Sequence, residues 1–241
     1  MRRFLLSVAA LFLVSGTVQA DIITQWNFNS SIPDANVGTG VVVPNIGSGT
    51  ASLFGGTTAT FASGDASGGS TDPATGDDSG WNITSFAAPG GTARGVEFAV
   101  STSGKVGITV SWDQRHSNTA SRGVEFFYST NGTTFTSFGT VANATAGDTW
   151  FNNRSIDLTS ITGVENNPNF AFRILQRVTS GTNPSDYEAS NTTSTYASTG
   201  TWRFDMVTVS AVPEPSSGIL LGAIGLAMAS YRRFLRRNRA A

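Results

Sequence analysis

The 241-residue chain contains no cysteine and one histidine, His116. The first absence removes disulfides, thiolate nucleophiles and cysteine-ligated metals together. The second excludes a multi-histidine metal site, and any Ser-His-Asp triad would have to be built around one position. Asp113, Arg115 and Ser117 flank that histidine, but no G-x-S-x-G turn presents a nucleophile. His116 therefore reads as part of a polar cluster at a strand end, with Asp113 held by Arg115 or Arg122. Basic residues are scarce too. Residues 21–211 hold eight Lys and Arg against fifteen Asp and Glu, a net charge of about −7 with the histidine neutral. Nucleic-acid binding needs a basic face, so that role is excluded. Helical periodicity never lasts beyond about one turn in this stretch.

What is present is strand signal: short β-branched and aromatic runs broken by Gly, Asn, Asp and Ser. In IITQWNFN, Thr24, Trp26 and Phe28 share the face expected to point inward. VGITVSW alternates Val106, Ile108, Val110 and Trp112 as a second inward face. RGVEFAVSTSG recurs 28 residues on as RGVEFFYSTNG, which predicts two similar hairpins, the second turning at Asn131-Gly132. SIDLTSI, NFAFRILQRV and GTWRFDMVTVS complete the pattern. The expected fold is all-β: one antiparallel β-sandwich of jelly-roll type over residues 21–211. Residues 62–80 lack any large apolar side chain and read as a flexible loop. Asp65, Asp72, Asp77 and Asp78 lie in it without the regular spacing of a calcium loop, so solvated acids and no metal site are expected.

The two ends differ from this body. Residues 1–20 combine Arg2 and Arg3, an apolar run over 4–14 and a small-residue site at Val18-Gln19-Ala20, the three parts of a signal peptide cut between Ala20 and Asp21. That run is too short to span a bilayer, which takes roughly 20 residues. The other end reads VPEPSSGILLGAIGLAMASYRRFLRRNR. Prolines keep Pro213-Glu214-Pro215 extended and accessible. An apolar segment follows over about 217–231, and Arg232, Arg233, Arg236 and Arg237 form a basic stop on the cytoplasmic side.

VPEPSS, the apolar segment and RRFLRR together resemble the PEP-CTERM sorting signal of exported bacterial proteins, here spanning residues 212–241 with the motif at 212–217 and the basic tail at 232–241. The resemblance implies a single C-terminal transmembrane helix, an inner-membrane-anchored intermediate, cleavage near Pro213–Pro215 by exosortase, and delivery to the cell surface or the exopolysaccharide matrix. SWDQRHS, YSTNG and TWRFDMV also resemble a jelly-roll domain found in such exoproteins. Asn131 stands where that pattern has Asp and Met206 where it has Asn, which argues against a bound metal.

No catalytic constellation is recognisable. Glu97 and Glu125 hold equivalent repeat positions, but each alternates with inward apolar residues and should face outward, and no closely spaced acidic cluster suits glycoside hydrolysis. The expectation is a non-catalytic matrix or surface component without cofactor. Carbohydrate binding is the alternative, with Trp81, Trp150 and Trp202 as candidates to stack on sugar faces if they are exposed.

Overall fold

The computed structural model describes residues 20–73, 77–141, 143–177 and 187–213. Among them the strands are β1 (Asp21–Trp26), β2 (Thr50–Phe54), β3 (Thr58–Ser63), β4 (Ser79–Thr84), β5 (Gly95–Ala99), β6 (Lys105–His116), β7 (Val124–Ser129), β8 (Thr136–Val141), β9 (Thr149–Asp157), β10 (Ala171–Gln176) and β11 (Trp202–Pro213). One sheet runs β3-β4-β11-β6-β9, with β1 also pairing on β11; the other runs β2-β5-β10-β7-β8. Every pairing is antiparallel. The chain is thus a two-sheet antiparallel sandwich. Long β11 serves two neighbours on one edge, pairing through Trp202–Phe204 with β4 and through Val207–Ala211 with β1.

Period-2 alternation builds the core. Thr24, Trp26 and Phe28 are fully buried, as are Ile108 and Val110, and Trp112 is nearly so. Across the facing sheet, Phe98, Phe172 and Phe126 stack in a row at centroid separations of 5.0 and 5.6 Å, and Trp112 of the opposite sheet closes the row 5.9 Å from Phe126. Such aromatic contacts contribute roughly 0.5–1.5 kcal/mol each beyond their buried area. They fix how the two sheets face each other.

The repeat has a different outcome from two hairpins. β7 and β8 form a hairpin around Asn131-Gly132, with Gly132 at φ 74°. β5 instead leads into β6 in the other sheet. What the copies share is a partner: both pair with β10, and Arg173 is the register partner of Glu97 on one side and Phe127 on the other.

The 62–80 segment, expected to be a flexible loop, carries regular structure in its described parts. Its described parts supply the end of β3, a 3-10 turn at Ala66–Gly68 and the start of β4, and they are tied to the sheet by hydrogen bonds. Polar contacts substitute for the missing apolar anchors.

Asp21 opens β1 and pairs in register with Ala211, while Pro213 closes β11 opposite Lys105. The body therefore extends two residues past the boundary expected at 211. Glu214, Pro215, the apolar segment over 217–231 and the arginines at 232, 233, 236 and 237 lie outside the described residues, as does the signal peptide before Ala20. Among the described residues no helix is long and apolar enough to cross a membrane.

Candidate functional site

Asp113 on β6 and Asp205 on β11 are register partners on the outer face of the larger sheet, next to inward-facing Trp112 and Phe204. Like charges directly opposite on a sheet repel. Each aspartate sits at a β-bulge, the device by which a sheet re-aims a side chain. At one, Asn153 takes φ 56° and its N–H donates to Asp113 Oδ1 at 2.7 Å. At the other, Met206 takes φ 47° and its N–H donates to Asp205 Oδ1 at 2.7 Å. The bulges thus turn two backbone donors toward two carboxylates.

A strap formed by residues 64–73 lies across these strands. Thr71 donates its N–H and its hydroxyl to Asp113 Oδ2, both at 2.6 Å. The Trp150 indole donates to the Ala66 carbonyl at 2.8 Å, and the Asn152 amide to Gly69 O at 3.0 Å. Gly64 is obligatory for close approach, because a Cβ there would overlap the Asp78 carboxylate. Asn29 ties the edge together, donating to Asp72 Oδ2 at 2.9 Å while its Oδ1 accepts the Ser79 N–H at 2.8 Å.

Under the strap one carboxylate oxygen from each of Asp72, Asp78 and Asp205 lies within 4.8 Å of the others. Asp78 is 1 % exposed and Asp205 0 %. Burial pushes the Asp78 carboxyl up to about 7, with the charges of Asp72 and Asp65 adding to the rise. Burial raises the Asp205 carboxyl well above the usual carboxylate range, and the charge of Asp78 raises it further. Arg203 is close enough to feel both acids, but its guanidinium donates to the Ser63 carbonyl.

Sequence reasoning saw Asp72 and Asp78 and dismissed them for want of a loop-type spacing. It missed that β11 supplies Asp205. The available signal was the pair SWD and RFD: an outward aspartate directly after a buried aromatic, on two strands that turn out to be neighbours.

The tryptophans proposed for sugar stacking are not surface platforms. Trp81 is 4 % exposed, stacked 5.4 Å from Phe28 and edge-on to Phe98. Trp150 is 7 % exposed beneath the strap. Trp202 is fully buried against Phe86, its indole N–H bonded to Ser121 O. At this degree of burial none of the three presents an exposed ring face as a platform for a sugar.

His116 is fully buried between Phe151 and Trp202, with Nδ1 2.9 Å from Ser121 O. Burial holds its pKa well below the ordinary imidazole range, and the nearby charge of Arg154 pushes the same way. The contacts expected around Asp113 go elsewhere: Arg115 pairs with Asp148 at 2.7 Å and Arg122 with Glu188 at 2.6 Å. Glu97 and Glu125 do face outward, bonded to Arg173 and to the Ser137 hydroxyl.

Beside the strap an open cleft of about 560 Å³ is lined by Asn27, Asn29, Asn45 and Asp77 on a polar side and by Val41, Val43 and Pro44 on an apolar one.

Residues 211–239 match the model of the PEP-CTERM protein-sorting motif. No curated protein matches the chain. Among solved structures, the CBM22-1 xylan-binding domain of Paenibacillus barcinonensis Xyn10C aligns at a TM-score of 0.40 and 9 % identity, over 68 % of this chain and 87 % of that one. The K2 cleaved adhesin domain of Lys-gingipain aligns at a TM-score of 0.36 and 13 % identity, over 67 % of this chain and 88 % of that one. Likenesses at these scores carry no argument about what this chain binds. The C-terminus of this chain is a PEP-CTERM protein-sorting motif, which implies an exported, cell-surface-sorted protein processed by exosortase.

Proposed function

We propose that the chain is a non-catalytic component of the cell surface or exopolysaccharide matrix, a sandwich of jelly-roll type released by exosortase cleavage beside Pro213, Glu214 and Pro215. The supporting observation is that the motif's first residue, Ala211, lies inside β11 and pairs with Asp21, the residue that follows the expected signal-peptide cleavage point. On this reading the two expected cleavage points flank neighbouring strand ends, since Asp21 and Ala211 are register partners. Cutting after Ala20 and beyond Pro213 trims the chain flush with its first and last strands and removes no ladder pairing. Fully extended, the four residues from Pro213 to Ser217 reach only about 14 Å. While the apolar segment is in the bilayer, the sandwich is held close against the membrane, motif end down.

Intact-mass analysis of protein recovered from the surface of producing cells tests this reading. The expected mass starts at Asp21 and stops shortly after Pro213, and cells lacking exosortase retain the full tail. Surface protein that still ends at Ala241 in exosortase-competent cells overturns it.

Carbohydrate binding is kept as a second reading because of the cleft. Its three asparagines and Asp77 offer the donors and acceptors that hydroxyls need, opposite an apolar wall. Asn27 makes no side-chain hydrogen bond among the described residues and is the position to change. Saturable retention on the producer's exopolysaccharide that Asn27→Ala weakens at least tenfold supports it. Retention indifferent to that change, or none at all, removes it.

A further inference from the structure

We propose that Asp72, Asp78 and Asp205 bind a divalent cation, Ca²⁺, which locks the strap onto the outer face of the sheet. An acidic cluster alone would not carry this. The further observation is that two of the three carboxylates are buried, each with an oxygen that accepts no hydrogen bond among the described residues, Asp205 Oδ2 and Asp78 Oδ1. Buried polar groups are almost always partnered, and an isolated buried charge costs far more than an unpaired neutral group. Neither Asp78 nor Asp205 forms an ion pair among the described residues. The two carboxylates converge, an oxygen of each lying within 4.8 Å of an oxygen of the other. Asp72 completes the triangle from the strap.

The geometry fits a hard, oxygen-loving ion. Ca²⁺ takes oxygen ligands at about 2.3–2.6 Å, so two oxygens on opposite sides of one ion stand about 4.6–5.2 Å apart. No two of the converging oxygens are farther apart than 4.8 Å. The charge also fits, since three carboxylates on a cation of +2 leave a small net negative charge where the bare cluster would carry −3. The site has no sulfur or imidazole to favour a softer metal. Its ligands come from the strap, from the residue just before β4 and from β11, so one ion would link three separate stretches of chain.

The competing account is a metal-free cluster in which Asp78 and Asp205 stay uncharged by sharing protons. Titration of the full-length protein, purified in mild detergent and stripped with a chelator, separates the two. Added CaCl₂ should give one saturable calorimetric transition and a rise in Tm. The affinity should fall at least tenfold from pH 8 to pH 5.5, because protons compete for the same oxygens. Asp205→Asn should weaken binding at least tenfold, and Asp148→Asn, which belongs to the Arg115 pair and not to the cluster, should not. If Asp205→Asn does not fold, Asp72→Asn on the strap serves in its place. Absence of heat and of any Tm shift in the unaltered protein up to about 10 mM Ca²⁺, beyond the range of weak extracellular sites, overturns the proposal. Binding that survives unchanged in both variants overturns it as well.

Discussion

The outer faces of the two sheets treat their carboxylates in opposite ways. On the smaller sheet, Glu97 faces Arg173 in register and bonds it at 2.6 Å, and the guanidinium lies between the rings of Phe54 and Phe135, 3.8 and 3.5 Å from their centroids. On the larger sheet, Asp205 faces another aspartate in register, and the strap adds Asp72 while Asp78 joins from just before β4. One face is self-neutralising and partly open; the other concentrates negative charge and covers it. Burying Asp78 and Asp205 without an ion pair among the described residues does not serve stability, since apolar groups in their place would serve that end better. The comparison teaches that the first face is built to hold the sheet together and the second to hold something else.

The largest expected effect is that of pH on the chelator-stripped protein. Asp78 titrates near 3.8 when unfolded and near 7 when folded, raised by burial and by Asp72 and Asp65, with Arg203 the nearby opposing charge. A carboxyl raised on folding contributes stability in its protonated form, in full below about 4, and loses it as pH rises to about 7. Asp205, raised by burial and by the charge of Asp78, adds to the loss. Thermal unfolding should therefore show Tm falling by several degrees between pH 4 and pH 7, and saturating Ca²⁺ should flatten the fall. A Tm that rises through that window would break the comparison. Next comes Gly64→Val, which forces a side chain into the Asp78 carboxylate; overpacking of this kind costs about 1–3 kcal/mol, readable by urea unfolding. It should also abolish the Ca²⁺ response.

On the smaller sheet, Arg173→Ala removes one ion pair and two cation–π contacts, with an expected loss of about 1–2 kcal/mol in the same urea assay. The loss should be nearly independent of Ca²⁺, which distinguishes this face from the other. The smallest change is Met206→Asn. Met206 holds a left-handed φ of 47°, a conformation asparagine adopts more readily, so the variant should gain about 0.5–1 kcal/mol and keep the bulge that positions Asp205. A loss of stability there would mean that Met206 packing outweighs backbone strain.

The motif at the C-terminus was legible because a sorting signal is read as a linear string: Pro213, Glu214, Pro215, the apolar run and the arginines stand next to one another and need no fold. The strands were legible for a related reason. Alternation of period 2 is local, so Trp26, Ile108, Val110 and Trp112 declare their inward face within a few residues. Absence of cysteine and a single histidine likewise fix what chemistry is excluded without reference to shape.

Only the tertiary structure decided the rest. Whether Trp81 and Trp150 face solvent depends on Phe28 stacking over one and on the 64–73 strap crossing the other, contacts that local pattern does not encode. The tandem copies looked like paired hairpins, but they became the two flanks of β10, because strand pairing is chosen by the whole sheet. The acidic triangle is the clearest case. Asp72 and Asp78 lie in a segment that reads as solvated, and Asp205 lies far along the chain; they converge because β4 and β6 both pair with β11 and bulges aim the side chains. A short sequence window records side-chain type and spacing, whereas convergence depends on long-range pairing and burial, which exist only once the sheets have closed on one another.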